Sequence, residues 1–163
     1  MIDDIEIEKK FNKIISSRVV DEVESISIIE IDTNIYQVFG KYYINKRAKN
    51  QAVVASKSGD IIHEFTSMRN AICWCIYDIR GKYVAANRII MLDRNISSEE
   101  AQITVHRTLL NKSKNTDDKL IYLAKLNEDK FKRQSMISEL TNYLDESDYW
   151  QQRKFKLKTT HYN

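Results

Sequence analysis

The chain of 163 residues contains no proline, three glycines and two cysteines. Without proline there are few rigid turns, and with so little glycine the positive-φ positions of tight turns must fall largely to Asn, Asp and Ser. Three glycines also argue against a glycine-rich loop that cradles phosphate with backbone amides. Two cysteines cannot form a disulfide framework, and Cys73 and Cys75 have no second CxxC or CxxH pair to complete a tetrahedral zinc site. No GxSxG or HExxH occurs, so nucleophilic and metal-hydrolytic chemistry lack a sequence basis. No apolar run reaches membrane-span length; the longest, Ala71–Ile79, is broken by Asp78 and bounded by Arg80. The acidic start MIDDIEIEKK predicts no secretory leader, and with two cysteines it predicts a reducing, cytoplasmic setting.

What is present is a soluble composition, 42% hydrophobic and 30% charged, sufficient for one domain with a real core. The net charge of +3 is unevenly spread. Residues 1–32 carry −5, residues 33–94 carry +6, residues 95–146 carry −1 and residues 147–163 carry +3. Ile, Lys, Asn and Tyr are abundant, which fits an AT-rich genome.

Along the chain, Ile7, Phe11, Ile14 and Ile15 recur at helical spacing and predict an amphipathic helix over Ile5–Val19. The period then changes to two. Ile26 and Ile28, then Ile29 and Ile31, alternate with polar residues, with a phase slip that predicts a bulge or a strand buried on both faces. A second strand over Tyr36–Asn45 puts Tyr36, Val38, Tyr42 and Ile44 on one face. Gln51–Ser56 and Ile61–Phe65 follow, joined by a Ser58-Gly59 turn, giving a four-stranded antiparallel meander. The segment His63–Asp93 is the most apolar long stretch, and it reads as the joint between sheet and helices. Thr66 or Ser67 caps a helix with Met68, Ile72, Cys75 and Ile79 inward, which Arg80-Gly81 stops. A second helix is expected over Tyr83–Leu92, and a third from the capping box Ser97-Ser98-Glu99-Glu100 to Lys114, with Ile103, His106, Leu109 and Leu110 inward. Asn115–Asp118 supplies a turn and a fresh cap for a helix over Lys119–Leu144, whose apolar residues cluster at both ends with Phe131 between them. The fold class is therefore α+β: an N-terminal helix, a four-stranded meander, and a helical half ending in a long αα-hairpin. One domain spans residues 1–150, its sheet half at 20–66 and its helical half at 67–146, with a basic tail at 151–163.

Cys73 and Cys75 lie about 200° apart on a helix and cannot share an ion; the expectation is Cys75 in the core and Cys73 at a helix contact. His63, His106 and His161 are scattered over strand, helix and tail. No catalytic, cofactor-binding or metal residue is assigned, and a non-enzymatic protein without a cofactor is expected. The expected function is structural or protein interaction through the helical hairpin and the C-terminal tail, with nucleic-acid binding by the sheet as the alternative, and two surfaces are candidates. The outer face of the second strand interleaves aromatic and basic residues, so Gln37, Phe39, Lys41, Tyr43, Lys46, Arg47, Lys49, Lys57 and Arg69 could stack bases and neutralise phosphates of a nucleic acid. The end of the hairpin gathers Phe131, Tyr143, Leu144, Tyr149 and Trp150, a composition suited to a protein partner or self-association, or else to docking on the chain's own sheet.

The strand–strand–strand–helix order with the Phe65-Thr66-Ser67…Ala71 junction resembles sheet DNA-binding domains of the AP2 type, which implies major-groove reading by strands. At Phe39-Gly40-Lys41-Tyr42-Tyr43-Ile44, Asn70–Cys75, Ala86-Asn87-Arg88-Ile89, Lys119–Lys125 and Tyr149-Trp150-Gln151 the chain is similar to small uncharacterised proteins of T4-like phages of marine bacteria. That similarity implies a phage-encoded virion, assembly or host-interaction accessory, in the host cytoplasm or the virion, and assigns no site residue.

Overall fold

The computed structural model describes residues 28–155; the helix expected over Ile5–Val19 lies outside them. The order is β1 (Ile28–Asp32), β2 (Ile35–Val38), β3 (Tyr42–Ala48), β4 (Gln51–Ser56), β5 (Ile61–Phe65), α1 (Met68–Ile79), α2 (Tyr83–Lys112) and α3 (Thr116–Phe155). The five strands form one antiparallel sheet in sequence order, each paired with the next.

The sheet has five strands where four were expected, because the second expected strand folds back on itself. Phe39 and Gly40 both take positive φ (57° and 66°), and the Lys41 amide donates to the Val38 carbonyl at 3.1 Å. Two successive left-handed residues make a turn whose twist matches that of a hairpin. Asn34 (φ 60°) turns β1 into β2, and Gly59 (φ 89°) turns β4 into β5. The register shift in β1 falls between Glu30 and Asp32, close to the phase slip seen in its sequence.

Tyr36, Val38, Tyr42 and Ile44 share the main core with Ile28, Val54 and Phe65 and with the helices. Ile31, Ile35, Tyr43 and Ala55 form a second apolar cluster, with Ile29 packed against it. β2, β4 and the first half of β3 are thus buried on both faces, whereas β5 is largely exposed.

Helix α1 begins where a Ser side chain can cap it: Ser67 accepts from the Asn70 amide at 3.0 Å. It ends at Gly81 (φ 74°), whose amide reaches the Asp78 carbonyl at 3.0 Å while that of Lys82 reaches Tyr77 at 2.9 Å. Every residue from Ala71 to Tyr77 is buried, so α1 is a central helix with apolar contacts all round rather than one with a single inward stripe. Trp74 anchors it in a ring cluster, 5.3 Å from Tyr42 and 4.7 Å from His63 between centroids.

The expected break between Leu92 and Ser97 does not occur. α2 runs unbroken for 30 residues. Neither Gly nor Pro interrupts it, and Glu100 of the expected capping box serves another contact. Glu100 takes Arg133 of α3 at 3.2 Å, and its carbonyl accepts the Thr104 hydroxyl at 3.1 Å. Asn115 caps α3 through Oδ1 to the Asp118 amide at 3.1 Å, so this helix starts at Thr116 instead of Lys119. It extends to Phe155, well past Leu144 and across the boundary expected at residue 151. α2 and α3 together make the long antiparallel hairpin.

Candidate functional site

A seam of seven-residue spacing joins the hairpin: Ile89, Ile96 and Ile103 on α2, Leu126, Arg133 and Leu140 on α3. At its base this seam rests on α1. Ala86, Ile89, Leu92, Leu140 and Leu144 belong to the main core. Ion pairs and hydrogen bonds ring this contact. Arg69 pairs with Asp148, Tyr77 donates to Glu146 at 2.5 Å, and Arg88 grips Glu139 through Nε and Nη2 at 2.5 and 2.7 Å. Asp93 is 4% exposed; its Oδ1 accepts from the Thr66 amide (3.2 Å), the Thr66 hydroxyl (2.8 Å) and Asn70 Nδ2 (2.7 Å). One carboxylate oxygen thereby fastens the β5–α1 junction to α2.

Beyond Ile96 the hairpin becomes an arm. Among the described residues its buried apolar side chains are Ile103 and Leu126, and between them His106 Nδ1 meets the buried Asp129 carboxylate. Around this thin seam Val105, Leu109, Leu120, Ile121, Leu123 and Phe131 are exposed, Leu120 at 60% and Phe131 at 75%. Their exposed fractions amount to about three whole side chains. At about 1.5–3 kcal/mol for each fully buried aliphatic or aromatic side chain, the arm leaves roughly 5–9 kcal/mol of burial unrealised. Leu109, expected inward, stands outside the seam. Exposed apolar residues in this number on a protruding element suit contact with another molecule.

The five residues expected as an interface divide. Phe131 and Tyr149 are exposed. Leu144 is core, Tyr143 packs edge-on against Tyr77 at 5.5 Å, and the Trp150 ring carries the Arg80 guanidinium 3.7 Å from its centroid. These aromatics dock on α1, not on the sheet, because α3 continues past Leu144 alongside it. Val105, Leu109, Leu120, Ile121 and Leu123 were not singled out as interface residues. The seven-residue spacing of Ile96, Ile103 and Leu110 holds the signal, since it leaves Val105 and Leu109 off the seam.

The residues expected to form a nucleic-acid face are not brought together as one open surface. Phe39 lies in the main core, and Gln37 and Tyr43 are 3% and 5% exposed. Burial pushes the Tyr43 phenol up. Lys41 sits 3.5 Å from Asp78, which also accepts the Tyr42 hydroxyl, and Arg69 is paired across to α3. Lys46, Lys49 and Lys57 are exposed and Arg47 is half-buried. As placed, the aromatic groups of this set offer no open ring for stacking.

Both cysteines are buried. Cys73 faces Ser147 of α3, its thiol pushed up to about 12 chiefly by burial, and Cys75 is raised well above its ordinary value by the same cause. Raised thiols are protonated and unreactive. Among the described residues no group of three or more His, Cys, Asp or Glu side chains could hold a metal ion. His63 packs on Trp74, its pKa lowered by burial and by Arg94. His161 lies outside the described residues. No described helix is long and apolar enough to cross a membrane. No family model, curated protein or solved structure matches the chain.

Proposed function

We propose that this is a non-enzymatic protein whose α2–α3 hairpin is a contact arm for other protein, with the small sheet and α1 as its mount. The observation that carries this reading is the arm's composition: six large apolar residues exposed on a two-helix projection whose own seam buries Ile103 and Leu126. A two-helix element gains little from propensity alone and depends on tertiary packing. The remaining surface of the arm is charged with both signs, six acids and eight bases over residues 97–134, which suits a protein surface better than a polyanion. Such a mounted arm serves the structural or assembly accessory roles of a phage-encoded protein.

The test compares the proteins retained from source cells by immobilised wild-type chain and by Leu120→Lys and Phe131→Lys variants, each with unchanged circular dichroism. A partner retained by the wild type and lost from both variants is the expected result. Identical retention by all three refutes the arm.

A further inference from the structure

The two sides of the hairpin differ, and the difference points to a particular occupant. Ala86, Ile89 and Asp93 turn one side of α2 toward α1 and the β5–α1 junction. On the other side Val84, Met91 and Val105 are separated by multiples of seven, with Leu109 one turn beyond. All four are exposed, Val84 at 87%. Their stripe stands about 120–160° round the helix from the seam residues, and Ile121 of α3, also exposed, takes the matching angle from Leu126. A groove lined by Ser98 and Glu99 of α2 and by Lys132 and Met136 of α3 opens midway along this side. The sheet is behind it, so the side is open along the full length of α2.

Resting on the contact-arm reading, we infer that this side pairs with the same side of a second copy of the chain, giving a four-helix bundle with the two sheets outermost. Three observations select a second copy. The first is symmetry: about a two-fold axis running along the hairpin, Val105 and Leu109 of each copy face Ile121 of the other, and the sheets then do not collide. The second is charge. That axis stacks α2 on α3 of the second copy, and the exposed end of α2 on this side is basic at Lys112, whereas the exposed first turn of α3 is acidic at Asp117 and Asp118. A two-fold axis across the hairpin would instead lay α2 antiparallel on α2 of the second copy, with no acidic turn opposite Lys112. The third is area. A strip about 45 Å long for 30 residues and about 20 Å wide for two helices offers about 900 Å² per copy, against about 800 Å² per partner in interfaces of standard size.

Sedimentation velocity on the full chain at micromolar concentrations tests the pairing. The wild type should sediment as a dimer. Val105→Glu with Leu109→Glu should weaken association at least tenfold with unchanged helicity. Lys112→Glu, a change on an exposed side chain, should weaken it severalfold. Mixing that chain with one bearing Asp117→Lys and Asp118→Lys should restore dimers of mixed composition. A wild type that remains monomeric, or a dimer indifferent to both sets of substitutions, overturns the inference, and failure of the mixed dimer overturns the axis. The contact-arm reading fails separately: a monomer that still retains a partner released by Leu120→Lys loses the pairing and keeps the arm, and a monomer retaining nothing loses both.

Discussion

Replacing Asp93 tests the joint between sheet and hairpin most sharply. The buried carboxylate holds three donors on one oxygen: the Thr66 amide, the Thr66 hydroxyl and the Asn70 side-chain amide. Asp93→Ala deprives all three. A buried donor left unpaired costs about 1–3 kcal/mol, but the Thr66 hydroxyl can rotate and all of Thr66 and Asn70 is only half-buried, so water offsets part of the loss. The expected destabilisation is about 3–4 kcal/mol. Asp93→Asn keeps an accepting oxygen of the same reach and loses only the charge assistance, about 1 kcal/mol. At roughly 3–5 °C per kcal/mol for a chain of this size, melting followed by circular dichroism should fall by about 10–20 °C for Ala and by about 3–5 °C for Asn. Equal effects of Ala and Asn would show that charge, not the three-donor geometry, matters there. A loss below about 1 kcal/mol for Ala would refute the claim that this oxygen fastens the junction.

Other expectations follow from burial and backbone geometry. Ile72→Asp places a carboxylate in a site with no exposure, and the chain should fail to fold, as read by loss of a cooperative urea transition. Gly81→Ala meets no atom within 4 Å, so only the strain of φ 74° counts; a loss of about 1 kcal/mol in urea unfolding is expected. The Tyr42 and Tyr77 phenols are raised by burial and by donating to Asp78 and Glu146. Their folded pKa lies above the unfolded one, so their stabilisation is full below about pH 10 and declines above it as the unfolded chain loses those protons first. Alkaline unfolding should therefore move to higher pH in Tyr77→Phe relative to an equally destabilised control; an unmoved midpoint counts against the coupling. Cys73 and Cys75 should resist a disulfide reagent at pH 8 until denaturant is added, and rapid labelling of the native chain would show the α1–α3 contact to be open.

Residues whose local chemistry had one outcome were legible from the sequence. Ser67 and Gly81 bracket α1 because a hydroxyl cap and a left-handed stop have no better use there, and the alternation from Tyr36 to Ile44 set the core-facing residues. The hairpin at Phe39-Gly40 was hidden because Phe seldom takes positive φ, so a strand pattern ran on through the turn. The capping box at Ser97–Glu100 misled for a different reason: a cap competes with continuation of the helix, and Glu100 has a partner in Arg133, 33 residues away. The expected interface at Tyr143, Leu144 and Trp150 was a misplacement of the same kind. Aromatic density shows that a surface is buried somewhere, and only the path of α3 past α1 shows that these residues are covered within the chain itself.

The continuity of α2 has a mechanical consequence. From Asp93 to the end at Lys112 the helix is a rod of about 28 Å with no hinge in it. A tilt of about 5° at the Asp93 anchor therefore sweeps the far end through about 2–3 Å, and a push at the far end returns as torque on Thr66 and Asn70. Loading the arm would be felt at the edge strand β5 through the Asp93 carboxylate, with the packing of Ala86, Ile89 and Leu92 on α1 as the fulcrum.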